Sequence, residues 1–285
     1  MTRYTVAGRT VLITGSTGGF GRALATALRQ RGANLALLDI DTTAVEAQAA
    51  ELGGPAHARG WRADVRSLDD LTSAMDEAAE HFGRLDVTIA NAGIDVMAPL
   101  ATLDPAAYER VIDINLNGVW RTFRAALPHV EQQHGYLLAT CSMAAFVHSP
   151  LQIPYTASKA GVWALCDSLR LEVRHLGIGV GSLHPTFFST PLMDDVVADP
   201  AGQALWNNQT GLWKMIPLDD VVTAAVDMIE HRADIATVPR VNTLIGRAPG
   251  LFRPLLERIG FRGDQIQRAL DAAHPSGWNH AATAK

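Results

Sequence analysis

A chain of 285 residues with 48 % apolar and 19 % charged side chains can bury a sizeable core and is too apolar for disorder. Its formal net charge of −5 supplies no basic stripe for phosphates, which argues against nucleic acid as the main partner. Two cysteines, Cys141 and Cys166, are too few for a disulfide scaffold and lack histidines at metal-ligand spacing. With no secretory signal and no apolar run of the roughly 18–20 residues that span a bilayer, the expectation is a cytoplasmic protein without a bound metal.

In chain order, short apolar runs predict strands at 10–14 (TVLIT), 35–39 (LALLD), 61–64 (WRAD), 86–91 (DVTIAN), 136–142 (YLLATCS), 179–185 (GVGSLHP) and 235–239 (IATVP). Helical patterns lie between them, near 20–31, 42–52, 68–82, 105–131, 155–176 and 218–231. Apolar runs without polar alternation fit strands covered on both faces, and strand–helix alternation implies right-handed crossovers. The predicted fold is α/β: one domain with a doubly wound parallel sheet of about seven strands flanked by helices. Both Cys141 and Cys166 fall in segments that read as buried.

The rhythm weakens twice. Residues 186–216 form an insertion rich in Phe, Met and Trp, which reads as a lid. From 240 onward the chain offers an amphipathic helix, LFRPLLERIGF (251–261), and then SGWNHAATAK, which reads as a frayed end. The expected division is a dinucleotide-binding catalytic unit over 1–246, with the lid near 186–216, and a helical extension and tail over 247–285.

The first strand leads into TGSTGGFG (14–21). Glycines at 15, 19 and 21 fall between strand and helix, where the backbone turns sharply and approaches a ligand. The following helix N-terminus offers N–H groups to a diphosphate. Three spaced glycines also serve tight packing alone. Asp39, ending the next strand, is the carboxylate expected to accept from adenosine-ribose hydroxyls, which favours a dinucleotide.

The spacing T-G-x-x-x-G-x-G resembles the glycine motif of the short-chain dehydrogenase/reductase family, and further landmarks extend the likeness over roughly residues 8–240. ADV (63–65) looks like the adenine-contacting Asp motif, ANAG (90–93) like N-N-A-G with Ala90 replacing its first Asn. INLNG (114–118) places Asn115 at the catalytic-relay asparagine. Ser142 in CSMAA stands thirteen residues before Tyr155, the usual separation. HPTFFSTPL resembles P-G-x-V-x-T, with Thr186 for Gly and Phe188 for Val. Singly, Asn91 and Asn115 serve equally well as backbone cross-links, Asp64 as a helix cap and Ser142 as a strand-end hydroxyl.

The resemblance implies a Rossmann-type fold and a set of cofactor contacts. The glycine loop would contribute Gly15, Thr17, Gly19, Phe20 and Gly21. Asp39 and Ile40 would receive the ribose, and Asp64 and Val65 the adenine. Asn91, Ala92 and Gly93 would follow, with Tyr155 and Lys159 on the nicotinamide ribose and Pro185, Phe188 and Thr190 around the nicotinamide. Asp39 would repel a 2′-phosphate and Ile40 adds no positive charge, so NAD is the expected cofactor; Arg22 is the one nearby cation that opposes this.

The stretch IPYTASKAG (153–161) carries the chemistry. Pro154 suits a first helical turn, and Tyr155 and Lys159 then share a face one turn apart. Four tyrosines and three lysines in 285 residues give roughly 0.04 such pairs by accident. A tyrosine of pKa ~10 is a poor base at neutral pH, and a nearby ammonium favours its phenolate. The implied catalytic set is Asn115, Ser142, Tyr155 and Lys159, with Ser142 binding the substrate oxygen and Asn115 anchoring a relay water.

Phe146, Phe187, Met193 and Trp206 join Ser142 and Tyr155 as expected substrate contacts, and Leu192 and Leu212 add to the apolar character of the lid. The expected reaction is hydride transfer between NAD(H) and a mainly apolar secondary alcohol or ketone. Two alternatives remain: an NAD(P)H-dependent 3-oxoacyl or hydroxysteroid-type reductase, and a dinucleotide-sensing regulatory protein without catalysis. The resemblance also implies a homotetramer or homodimer, paired through the helices at 105–131 and 155–176.

Overall fold

All seven expected strands form in the computed structural model, which describes residues 3–190, 193 and 198–273. They are β1 (Thr10–Thr14), β2 (Asn34–Asp39), β3 (Ala58–Arg62), β4 (Val87–Ala90), β5 (Tyr136–Thr140), β6 (Gly179–Pro185) and β7 (Ile235–Val238). They pair in parallel in the order β3-β2-β1-β4-β5-β6-β7. The chain starts in the middle of the sheet, winds out to β3 and restarts at β4, so the winding reverses between β1 and β4. In such sheets, a crevice opens at that reversal, beyond the carboxyl ends of the strands.

Strand pleating sends alternate side chains to opposite faces, and both faces are buried. Val11, Ile13, Leu35 and Leu37 pack with Leu24 and Leu28 of α1 (Gly19–Gln30) and Val45 of α2 (Thr42–Glu51). On the other face, Leu12 and Leu38 meet Leu71 and Met75 of α3 (Leu68–Phe82), then Phe123 of α5 (Gly118–Gln132) and Cys166 of α6 (Ile153–Val173). Each such side chain contributes about 1.5–3 kcal/mol when fully buried, which fixes the register of sheet and helices. Asp41 and Ser67 cap α2 and α3 by accepting from the N–H of Ala44 and Asp70, and Gly83 ends α3 at φ +73°.

The single helix expected over 105–131 is instead three pieces: α4 (Pro105–Ile112), a π-helical turn at Asp113–Asn117, and α5. The cause lies at Asn115, whose carboxamide is drawn out of helical register to bond the backbone of Ile94 and the Ser158 hydroxyl. The third strand begins and ends earlier than expected, and Ala63 N–H still reaches Asp39 O at 2.9 Å.

Beyond the sheet, the helix Pro249–Gly260 forms where the amphipathic pattern lies, followed by Gln265–Ala273. The latter packs on the short helix Pro200–Leu205, giving a third apolar cluster around Leu151, Leu205, Trp206 and Ala269. Leu192, the Leu212 side chain and the segment 276–285 lie outside the described residues. Among the described residues, no helix is long and apolar enough to cross a membrane, and no group of three or more His, Cys, Asp or Glu could hold a metal ion.

Candidate active site

The carboxyl ends of the central strands open on one cleft of about 570 Å³. Its nucleotide end is made largely of backbone. Gly15 sits at φ +61°, and a Cβ there would stand 2.8 Å from Ala92 Cα. A Cβ on Gly21 would stand 2.4 Å from Gly15 O and 3.0 Å from Asn91 Nδ2, so the loop closes to this depth only with glycine. Gly18 precedes α1 without a side-chain cap, which leaves first-turn N–H groups available to an anion.

Asp39 ends β2 at the edge of this loop. Its Oδ2 accepts from Thr17 N–H at 3.1 Å and Thr17 Oγ1 at 2.7 Å, and its Oδ1 from Ile40 N–H at 2.8 Å. Asp41 N–H adds a longer contact to Oδ1 at 3.4 Å, so a ribose hydroxyl would share or displace one of these four donors. Arg22 is turned away to Glu51, 2.7 Å distant. Farther along, Arg66 grips both oxygens of Asp64, and this bond holds the Asp64 carboxyl below its ordinary value. The glycine cradle and the ribose-facing carboxylate fit a nicotinamide dinucleotide.

Thr17, Gly19, Phe20, Ile40, Val65 and Gly93 also line the cleft. Ala92, Pro185, Phe188 and Thr190 do so as well. Asn91 lines it while its side chain cross-links the strand ends: Nδ2 donates to Gly15 O at 3.0 Å, and Oδ1 accepts from Thr140 Oγ1 at 3.1 Å. Asn115 does not line the cleft. It is fully buried behind Gly93, with Oδ1 accepting from Ile94 N–H and Nδ2 donating to Ile94 O, both at 2.8 Å.

Ser142 follows β5, and α6 brings Tyr155 and Lys159 to the same wall, with Pro154 in its first turn. Lys159 Nζ donates to Thr140 O at 2.8 Å and lies 5.5 Å from the Tyr155 ring centroid. Burial raises the Tyr155 phenol above its ordinary value, Asp95 raises it further, and a hydrogen bond with Ser142 opposes both. Burial also lowers the Lys159 ammonium. In the chain alone, therefore, desolvation outweighs the lowering of the phenol expected from Lys159. Cys141 donates from Sγ to Lys159 O, and burial pushes its thiol up to about 11, which leaves it unreactive.

At the substrate end, Phe187, Met193 and Trp206 line the cleft as expected. Phe146 does not. It is fully buried, stacked on His184 at 4.4 Å and edge-on to Trp163 at 4.9 Å, because the turn after Ser142 points it into the core. Phe188 meets Phe20 edge-to-face at 5.9 Å, joining the lid to the glycine loop. Thr186 N–H bonds Val238 O, and its hydroxyl is buried without a partner.

Sequence reasoning missed Asp95 and Gln152, both in the cleft lining, while Trp213 of the lid and Leu256 of the extension line it as their apolar character suggested. A charge inside the apolar stretch IDVMAP was a readable signal for Asp95. Gln152 carried none. Leu256 comes from the extension, and Trp213 is tied to it by Nε1 donating to Gly260 O at 3.1 Å and by packing on Phe261.

Comparison with known proteins gives the same picture. The family described as short chain dehydrogenase matches residues 9–201. The chain is 37 % identical over 206 residues to (-)-trans-carveol dehydrogenase of Rhodococcus erythropolis, covering 67 % of this chain and 74 % of the relative. It is 32 % identical over 234 residues to D-threitol dehydrogenase of Mycolicibacterium smegmatis, covering 79 % and 87 %. A short chain dehydrogenase/reductase from Burkholderia phymatum, solved in complex with NAD, superposes with a TM-score of 0.77 at 24 % identity, over 88 % of this chain and 96 % of that one.

Proposed function

Because the chain belongs to the short-chain dehydrogenase/reductase family, and is thus an oxidoreductase acting on CH–OH groups, we propose that it moves hydride between NAD(H) and a mainly apolar secondary alcohol or its ketone. The observation that carries this reading is the meeting of Ser142, Tyr155 and Lys159 on the wall of a cleft whose other end presents Asp39. A relative named for carveol and another named for threitol both support an alcohol as substrate.

Bound nicotinamide supplies the two-electron acceptor or donor. The residues of the chain manage the proton and the geometry. In oxidation, the substrate hydroxyl passes its proton to the Tyr155 phenolate as the carbinol C–H departs as hydride; in reduction, Tyr155 returns the proton. Ser142 donates to the substrate oxygen, which places it and offsets its developing charge. Lys159, anchored on Thr140 O, holds the ribose and favours the phenolate. Asn115 shapes the turn behind Gly93, where its Oδ1 and the Lys159 Nζ both approach, and in this reading it anchors the water that exchanges protons with Lys159. The burial-raised phenol of the chain alone makes this positive company necessary for turnover near neutral pH.

Asp39 favours NAD over NADP, since its charge opposes a 2′-phosphate and Arg22 is engaged with Glu51. The catalytic unit spans 1–246, and the extension from 247 completes the substrate wall through Leu256. The protein works as a homotetramer or homodimer; Trp120 on α5 and Leu171 on α6, 51 % and 58 % exposed, supply apolar surface for that pairing.

The test is an NADH-absorbance screen over secondary alcohols and ketones, run with NAD(H) and NADP(H) and with Tyr155→Phe as control. Activity confined to small phosphorylated substrates, or equal turnover by the Tyr155→Phe protein, would overturn the reading.

A further inference from the structure

Asp95 stands two residues beyond Gly93 and lines the cleft together with Ser142, Gln152 and Tyr155. Its position is built rather than incidental. Oδ1 accepts from Val96 N–H at 2.7 Å, and Oδ2 accepts from Nε2 of Gln152, a buried side chain at the residue just before α6. Among the described residues, Asp95 forms no ion pair; Lys159 acts on it only through space. Two acceptor sites on the carboxylate remain open, and Gln152 Oε1 has no donor among the described residues. Burial holds the Asp95 carboxyl up at about 6, so near neutral pH it is an ionised group without a counter-ion.

A desolvated carboxylate is costly unless something bonds it. Here the free acceptor sites border the space where the reacting molecule must lie. Trp206, in the same lining, has its indole N–H buried without a partner. A substrate that was hydrocarbon apart from its reacting oxygen would expel water and leave these groups unsatisfied. A second hydroxyl supplies both a donor and an acceptor. An ammonium would instead add a positive charge close to Lys159.

We propose that Asp95, held by Gln152, reads a second hydroxyl of the substrate next to the reacting carbinol, so that the substrates are vicinal diols, or the matching α-hydroxy ketones, on an apolar frame. This rests on the assignment of Ser142 and Tyr155 to the reacting oxygen. It separates the two ends of the substrate: an apolar body against Phe187 and Trp213, and a diol edge between Ser142 and Asp95.

Cyclohexanol and the cis and trans isomers of 1,2-cyclohexanediol share a carbon frame and test the idea. For the unmodified protein with NAD⁺, kcat/KM for one diol isomer should exceed that for cyclohexanol by about 10–100-fold, the range of a hydrogen bond to a charged group. That ratio should fall at least about tenfold in Asp95→Leu, and less in Asp95→Asn, which keeps an acceptor oxygen. A ratio near one in the unmodified protein, or one unchanged in Asp95→Leu, overturns the proposal. Should neither alcohol turn over, the reaction assignment fails, and calorimetric titration of the three alcohols into the NAD⁺-saturated protein decides the role of Asp95. Diol binding that is preferred and lost in Asp95→Leu upholds it; equal or absent binding overturns it. Thermal melts of both variants establish folding, with the near-isosteric Asp95→Asn as the arm that answers if Asp95→Leu unfolds.

Discussion

The proposed nucleotide end of the cleft is walled largely by backbone, its glycine loop and Asp39 coming from one βαβ unit, whereas the proposed substrate end is walled by side chains that meet from distant parts of the chain. Gly15, Gly21 and Asp39 lie within 25 residues of one another and admit little variation, since a Cβ on Gly21 would meet a carbonyl oxygen at 2.4 Å. Phe187, Trp206, Trp213 and Leu256 come from the lid and the extension, and a small change in any of them shifts volume instead of blocking the site. In the proposed reaction, the first kind of wall sets which cofactor class fits and the second which alcohol does.

Tyr155 stands at the junction, and its removal should have the largest effect. Tyr155→Phe is expected to lower kcat by about a thousandfold, within the range for general acid–base groups, while NADH affinity, followed by fluorescence titration, changes by less than about threefold. Loss of NADH binding together with turnover would merge the two ends into one unit.

Asp95 gives the next largest effect, on stability. Its carboxyl is raised from 3.8 to about 6 in the folded chain, so the folded state holds its proton more tightly than the unfolded state does. Stability is therefore lost as pH rises from about 4 to about 6, by up to about 3 kcal/mol at neutral pH. Asp95→Asn should melt higher than the unmodified protein at pH 7.5, with the advantage shrinking towards pH 4.5. An advantage independent of pH would mean that Asp95 is not ionising against its burial.

At the nucleotide end, Asp39→Ala should shift the ratio of kcat/KM for NAD over NADP by about 10-fold or more towards NADP, as expected for loss of a hydrogen bond to a charged acceptor. An unchanged ratio would remove Asp39 from coenzyme choice. The smallest effect belongs to the lid. Trp213→Phe deletes the bond to Gly260 O, worth about 0.5–1.5 kcal/mol, together with the part of the indole packed on Gly260, and should raise substrate KM about threefold without altering that for NAD. A matching change in the NAD constant would show that the extension acts on both ends.

The sequence was readable where one residue's chemistry has one use. Apolar runs marked the inner strands because a strand covered on both faces has no polar side to show, whereas β3, at the sheet edge with Arg59 and Arg62 exposed, lies earlier than its expected place. TGSTGGFG, Asp39 and IPYTASKAG marked the two ends of the cleft because tight turns, ribose contacts and a Tyr–Lys pair one helical turn apart are local geometries. The π-helical turn at Asp113–Asn117 was not readable, since its cause is a bond from Asn115 to Ile94, 21 residues away. Phe146 looked like a pocket residue by neighbourhood; a short turn after Ser142 buried it against His184.

By itself, then, the sequence determined the parallel sheet, the glycine-lined crevice and the Tyr155–Lys159 pair, because periodicity and short spacings carry that information along the chain. Tertiary structure alone decided that Gln152 meets Asp95 across 57 residues and that the extension joins the cleft wall beside Trp213. Such contacts depend on how distant segments pack, and packing exchanges one apolar side chain for another too freely to leave a mark in residue order.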